Sequence, residues 1–190
     1  MANRFAIDFG TSNTRAAIWD DAAQQAMPLV IPDISLLAEQ TDASGNSVSA
    51  SYVPSLIHYD DQKIWIGSQV REQGKLESPA TFRRIKHYIS NKLELPRQVK
   101  NRQIKYSEAG ADFLSMVINY AASLVGLDDE EVAFTVPVEV FEHYQDWLSV
   151  VCEKAGISRY RMLDEASAAA LGYGVHIQAN DVYMVFDFGG

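Results

Sequence analysis

Two strand-like stretches of this 190-residue chain end in the same way: Phe5-Ala6-Ile7-Asp8-Phe9-Gly10-Thr11-Ser12 near the start, and Met184-Val185-Phe186-Asp187-Phe188-Gly189-Gly190 at the end. Each is an apolar run that delivers an aspartate to its carboxyl end and then turns on glycine. Glycine can take positive φ and lets backbone come close to a ligand, and aspartate offers hard oxygens suited to magnesium or its waters. A fold that uses both copies must bring two strand ends, far apart in sequence, to flank one hollow. The pattern points to phosphate and metal chemistry. Because the sequence stops inside its second copy, we expect these residues to be a piece of a larger protein.

Composition narrows the class. With 47% hydrophobic residues the chain can bury a real core, and its length fits one domain, or one domain with an insertion. The formal net charge is -9, which disfavours non-specific binding to nucleic acid or an anionic membrane surface. A nucleotide would then have to be met by local positive dipoles rather than by a basic field. The single cysteine, Cys152, excludes an intrachain disulfide framework and suits a reducing compartment. No apolar signal core follows Met1, and no stretch reaches the roughly 20 apolar residues of a membrane helix. The expected compartment is the cytoplasm.

Apolar runs at residues 4–9, 14–19 and roughly 26–31 predict a three-strand meander. Residues 33–50 turn to Ser, Asp, Gly and Asn without a durable period, and predict an irregular connection. Val53–Tyr59 and Lys63–Ile66 flank Asp60-Asp61-Gln62 as a hairpin. A basic helix is expected over Pro79–Leu93, with Phe82, Ile85 and Ile89 inward and the charges of Arg83-Arg84-Ile85-Lys86-His87 in water. Ser107–Val125 places Phe113, Val117, Tyr120, Ala121 and Leu124 at helical spacing before Gly126. A strand at Val132–Val136 is closed by Pro137. It leads to a helix carrying Phe141, Tyr144, Leu148, Val151 and Ala155 on one face before Gly156. A short strand at Arg161–Leu163, a small-residue helix at Asp164–Tyr173 and a strand at Asp181–Asp187 complete the alternation. Strands first, then strand and helix in turn, predict a mixed sheet with helices packed against it.

Four ordered blocks resemble the nucleotide-binding domain of the heat-shock protein 70 chaperones, within the superfamily shared with actin and hexokinase. They are Ile7-Asp8-Phe9-Gly10-Thr11-Ser12-Asn13; Phe134-Thr135-Val136-Pro137; Leu163-Asp164-Glu165-Ala166-Ser167-Ala168-Ala169-Ala170-Leu171-Gly172-Tyr173-Gly174; and Val185-Phe186-Asp187-Phe188-Gly189-Gly190. The first and last look like the two phosphate loops. The resemblance implies an actin-like ATPase (ribonuclease H-like) α/β fold. It would have a mixed five-stranded sheet with flanking helices and a small α+β peripheral subdomain. Residues 1–32 and 107–190 would form the core of the first lobe and residues 33–106 the inserted subdomain. The second lobe, with most adenine contacts, and any peptide-binding domain would lie outside this sequence.

The same resemblance implies ATP or ADP with magnesium as cofactors, and unfolded client proteins and co-chaperones as partners of the full-length protein. Backbone N–H groups of Gly10, Thr11, Ser12 and Asn13 would bind phosphate, with Gly189 and Gly190 in the second loop. Asp8 and Asp187 would hold the hydrated magnesium. Glu165 would orient a metal-bound or attacking water, with Asp187 as its proton acceptor. Two departures stand out. Arg71, in Ile66-Gly67-Ser68-Gln69-Val70-Arg71-Glu72-Gln73, occupies the position of the family's essential lysine, and its planar fork need not place one donor on the attacking water. Gln145 stands where the chaperones carry an arginine that relays nucleotide state.

The leading expectation is the ATP-binding lobe of a chaperone-like ATPase, the isolated 190 residues being inactive for want of the adenine side of the cleft. Two alternatives remain: a non-hydrolysing actin- or chaperone-like scaffold, and a small-molecule kinase of the sugar-kinase type, for which no catalytic aspartate stands out. Asp187-Phe188-Gly189 alone does not make a protein kinase, because neither His-Arg-Asp nor Val-Ala-Ile-Lys is present. Gly74-Lys75 lacks the spacing of a P-loop. His58, His87, His143 and His176 have no metal-ligand spacing, Cys152 lies on an amphipathic helix, and Phe141, Tyr144, Trp147 and Leu148 read as core.

Overall fold

A computed structural model of the chain describes residues 4–41, 45, 47–126, 131–138, 141–172 and 184–185. The predicted meander is present: β1 (Phe5–Phe9) pairs antiparallel with β2 (Asn13–Asp20), which pairs with β3 (Gln25–Pro28). Next come β4 (Leu36–Thr41) and β5 (Ser47–Pro54), then the short hairpin β6 (Ile57–Tyr59) and β7 (Ile64–Ile66). The hairpin turns at the expected acidic pair, with Asp60 N–H donating to Lys63 O at 2.9 Å. Helix α1 (Ser68–Glu72), β8 (Thr81–Phe82), α2 (Ile85–Ser90), β9 (Arg97–Val99) and β10 (Arg102–Ile104) follow. The second half alternates as predicted through α3 (Tyr106–Val125), β11 (Val132–Val136), α4 (Phe141–Ala155), β12 (Tyr160–Asp164) and α5 (Glu165–Gly172). The strand expected at Asp181–Asp187 lies mostly outside the described residues.

The main sheet runs β12-β11-β1-β2-β5-β4, with β3 also on β2. It is mixed, as expected, with β1, β11 and β12 parallel and the rest antiparallel. Among the described residues it has seven strands rather than five. The extra two are β4 and β5, in a region whose composition predicts an irregular connection. Serine has little intrinsic strand preference, so the Ser47-Val48-Ser49-Ala50-Ser51 run carries a weak local signal; the strand is set by its partners, six residue pairs with β4 and two with β2. The basic helix is also shorter than expected. Arg84 takes φ 56° just before α2 and Lys92 takes φ 54° just after it, and left-handed residues at both ends limit the helix to Ile85–Ser90.

Helices α3 and α4 cover one face of the sheet. Along β1, Phe5, Ile7 and Phe9 are buried and Ala6 and Asp8 exposed, the alternation that a half-covered strand requires. Phe9 stacks on Trp147 at 5.6 Å and meets Phe113 at 5.9 Å. Phe82, Ile85 and Ile89 turn inward as predicted, and Tyr144, Leu148 and Val151 join the same core, whereas Leu124, in the last turn of α3, is exposed. Gly126 and Gly156 close α3 and α4 at φ 65° and 72°, where a side chain would be strained.

The small hairpin is tied to the helices through Asp112. Tyr59 Oη–H donates to Asp112 Oδ2 at 2.7 Å, and Lys154 pairs with the other carboxylate oxygen. Burial, then the Asp112 charge, pushes the Tyr59 phenol far above its ordinary value. Tyr59→Phe removes a charge-assisted bond while leaving Asp112 its lysine. Urea unfolding is expected to show a loss of about 1.5 to 3 kcal/mol; no loss would mean that the bond is not formed in solution.

Candidate functional site

The carboxyl edge of β1, β11 and β12 gathers the polar residues. Register places Ile7 beside Phe134, Thr135 beside Leu163, and Val136 beside Asp164. Asp8 and Thr135 therefore come level, and Thr135 Oγ1–H donates to Asp8 Oδ1 at 2.7 Å. One Asp8 oxygen is held and the carboxylate remains exposed.

The β1–β2 turn is held by its own backbone and by Ser55. Gly10 N–H donates to Asn13 O at 3.0 Å, Ser55 Oγ–H donates to Gly10 O at 2.8 Å, and Ser55 N–H donates to Ser12 O at 2.9 Å. Thr14 Oγ1 lies 2.9 Å from Ser55 Oγ in the interior below. Gly10 is required for a reason other than the expected one. Its φ is not positive, but a Cβ there would fall 2.2 Å from Asn13 O. With the carbonyls engaged, the N–H groups of Thr11 and Ser12 donate to no protein acceptor among the described residues. Adjacent unpaired N–H groups held in a fixed turn make an anion-binding concavity.

On the far side of the edge, Asp164 caps α5. Ser167 N–H donates to Asp164 Oδ1 at 2.8 Å, and the Ser167 hydroxyl and N–H hold the carboxyl below its ordinary value. Glu165, the first residue of α5, is thereby fixed at the strand end. Its Oε1 pairs with Lys86 Nζ from α2, 79 residues away.

Lys86 corrects the sequence reading, which placed the whole Arg83–His87 run in water. Arg83, Arg84 and His87 are exposed, but Lys86 is 8% exposed, and among all sixteen lysines and arginines it alone is buried. A buried ammonium needs an anion within reach, and Glu165 supplies it. Arg71 is exposed on α1, and its guanidinium makes no hydrogen bond or ion pair to the described residues. Gln145 is exposed on α4. Asp187, Gly189 and Gly190 lie outside the described residues. Besides Lys86, sequence reasoning missed Thr135. Its signal was a hydroxyl residue in an otherwise apolar strand, one residue before the end, as Asp8 is in β1.

These features define a mixed α/β protein of the actin-like ATPase fold. A sequence model of the Hsp70 protein family matches residues 95–190, and the chain belongs to that family. It is similar to the chaperone protein DnaK of Deinococcus radiodurans, with 23% identity over all of this chain and 31% of that protein. It is also similar to the chaperone protein HscA homolog of Rickettsia rickettsii, with 27% identity over 97% of this chain and 30% of the relative, and to a DnaK of Trieres chinensis, with 25% identity over all of this chain and 32% of the relative. The chain thus spans about a third of the length of the curated relatives it matches. Among the described residues, no helix is long and apolar enough to cross a membrane.

Lys86→Met leaves Glu165 half-buried without its cation and is expected to cost about 3 kcal/mol in chemical unfolding. Lys86→Met combined with Glu165→Gln should recover more than half of that loss. Equal losses in the single and double variants would mean that the ion pair contributes nothing.

Proposed function

We propose that this chain is the phosphate-gripping lobe of an Hsp70-like chaperone ATPase, acting with a second lobe of the full-length protein. The carrying observation is the Asp8–Thr135 pair beside a turn whose Thr11 and Ser12 N–H groups are unpaired. In this reading the Gly10–Asn13 turn receives phosphate oxygens through fixed dipoles, so binding costs little reorganisation. Asp8 holds a hydrated magnesium ion from this lobe, joined by Asp187, and Gly189 and Gly190 belong to the second loop.

The residues present suit that metal. Asp8 offers one exposed carboxylate, and magnesium keeps several waters and takes only one or two carboxylates. Thr135 orients Asp8 by occupying one oxygen of its exposed carboxylate. A metal held there would neutralise charge on the phosphate oxygens. Glu165, steadied by Lys86 and by the capped start of α5, orients a water, and Asp187 accepts its proton. Clients and co-chaperones are partners of the whole protein in this reading.

A second reading, a nucleotide-binding scaffold without turnover, is favoured by one observation: the Arg71 guanidinium is exposed and without a partner among the described residues. A guanidinium held by nothing does not position an attacking water.

In the full-length protein, Asp8→Ala should weaken magnesium–ATP binding at least tenfold by calorimetry, about 1.4 kcal/mol or more. Unchanged affinity would remove the metal role. Arg71→Lys is expected to raise single-turnover hydrolysis if the site is a slowed ATPase. Absence of hydrolysis in both forms, with ATP binding intact, would favour the scaffold.

A further inference from the structure

We infer that a cavity between the start of α2 and the start of α3 binds a small phosphate monoester, with the guanidinium groups of Arg84 and Arg97 as its cationic ligands. The cavity is about 310 Å³ and is lined by Glu77, Arg83, Arg84, Tyr88, Arg97 and Tyr106, among others. That size falls at the lower end of small-molecule sites. None of its lining residues belongs to the Asp8 edge, and the inference stands whether or not that edge binds nucleotide.

Charge selects the ligand. The walls carry three arginines against one carboxylate, in a chain whose net charge is -9. That carboxylate, Glu77, is taken by Arg83 at 3.2 Å, and Arg84 and Arg97 have no acidic partner among the described residues. A guanidinium without an anion belongs in water, yet Arg97 is half-buried and fixed. It donates to Thr81 O at 2.8 Å and to Pro79 O at 2.6 Å, and its Cζ lies 5.0 Å from the centre of the Phe82 ring. The two carbonyls hold the fork without cancelling its charge, and the fork has more donors than they take up. A cation held before the ligand arrives loses little freedom on binding. Arg84 reaches the same cavity from a left-handed backbone, φ 56° and ψ 33°, which is uncommon outside glycine. Two unmatched guanidiniums call for a dianion. One carboxylate would satisfy one of them, whereas a phosphate monoester carries about −1.5 to −2 at neutral pH and suits planar forks. The organic part has a wall to lie against, because Tyr88 and Tyr106 stack at 3.7 Å and line the same space. Burial, then the Tyr88 hydroxyl, raises the Tyr106 phenol above its ordinary value, so it brings no negative charge.

The test titrates the full-length protein and its Arg84→Asn variant by calorimetry with phenyl phosphate, and with benzoate as the monoanionic control. Asparagine tolerates the left-handed backbone, and the Arg84 guanidinium makes no hydrogen bond or ion pair to the described residues, so melting without ligand should not change. Wild type is expected to bind phenyl phosphate at least tenfold more tightly than benzoate. Arg84→Asn should lose about tenfold of that affinity, the worth of one hydrogen bond between charged groups. Arg97→Gln should lose as much; because Arg97 also ties down Thr81 and Pro79, a lower melting point in that variant leaves Arg84→Asn as the deciding result. No binding of phenyl phosphate, or equal binding of the two anions, overturns the proposal, as does an Arg84→Asn affinity within threefold of wild type. Phenyl phosphate that is lost on Asp8→Ala and kept in Arg84→Asn sits at the Asp8 edge, and overturns the assignment to this cavity.

Discussion

The parallel register of β1, β11 and β12 is the constraint on which the site depends. Three strands laid side by side in one direction end at one edge, and the helices α3 and α4 that return the chain between them cover a single face. Residues at the carboxyl ends are therefore gathered irrespective of their distance in sequence. Asp8 and Thr135, 127 residues apart, meet at 2.7 Å for this reason. A shift of one residue in β1 would turn Asp8 to the face now filled by Phe9, and Phe9 outward. The aromatic stack of Phe9 on Trp147 and Phe113 thus fixes the acidic edge as much as it fills the core.

The second organising feature is how an acidic chain treats its anionic edge. A net charge of -9 offers no general attraction to phosphate, so in the proposed reading the positive character of the site has to be local. Among the described residues two sources are present: the N–H groups of Thr11 and Ser12, unpaired there, and the buried ammonium of Lys86. Lys86 is committed to Glu165 and orients that carboxylate at the start of α5. The remaining cations lie on the surface, where exposed pairs such as Arg83 with Glu77 contribute little. Cys152, whose thiol is pushed up to about 11 by burial, is held in its unreactive form.

Much of this was legible in the sequence, and the failures have physical causes. The strand–Asp–Gly motif located β1 and its turn, and the helical periods located α3 and α4 together with their glycine ends. Local patterns missed β4 and β5, because a serine-rich strand is defined by its neighbours. They overextended α2, because a left-handed Arg84 leaves no mark in composition. The reason offered for Gly10 was also inexact: steric room against Asn13 O, not a positive φ, requires it. Lys86 was the costliest omission. A lysine among charged neighbours reads as solvated, and only the tertiary pairing of α2 with α5 places it beside Glu165. Thr135 was within a recognised block, yet its role follows from strand register, which a single sequence does not reveal.

The most direct measurement of the central claim is the position of a metal ion at this edge. Anomalous scattering from manganese substituted for magnesium, in crystals of the full-length protein with bound ATP or ADP, would locate it. The account predicts a single peak beside the Asp8 carboxylate, near the Gly10–Asn13 turn, with phosphate oxygens facing the Thr11 and Ser12 N–H groups. A nucleotide bound with its metal at another edge of the sheet, or with Asp8 remote from it, would contradict the account.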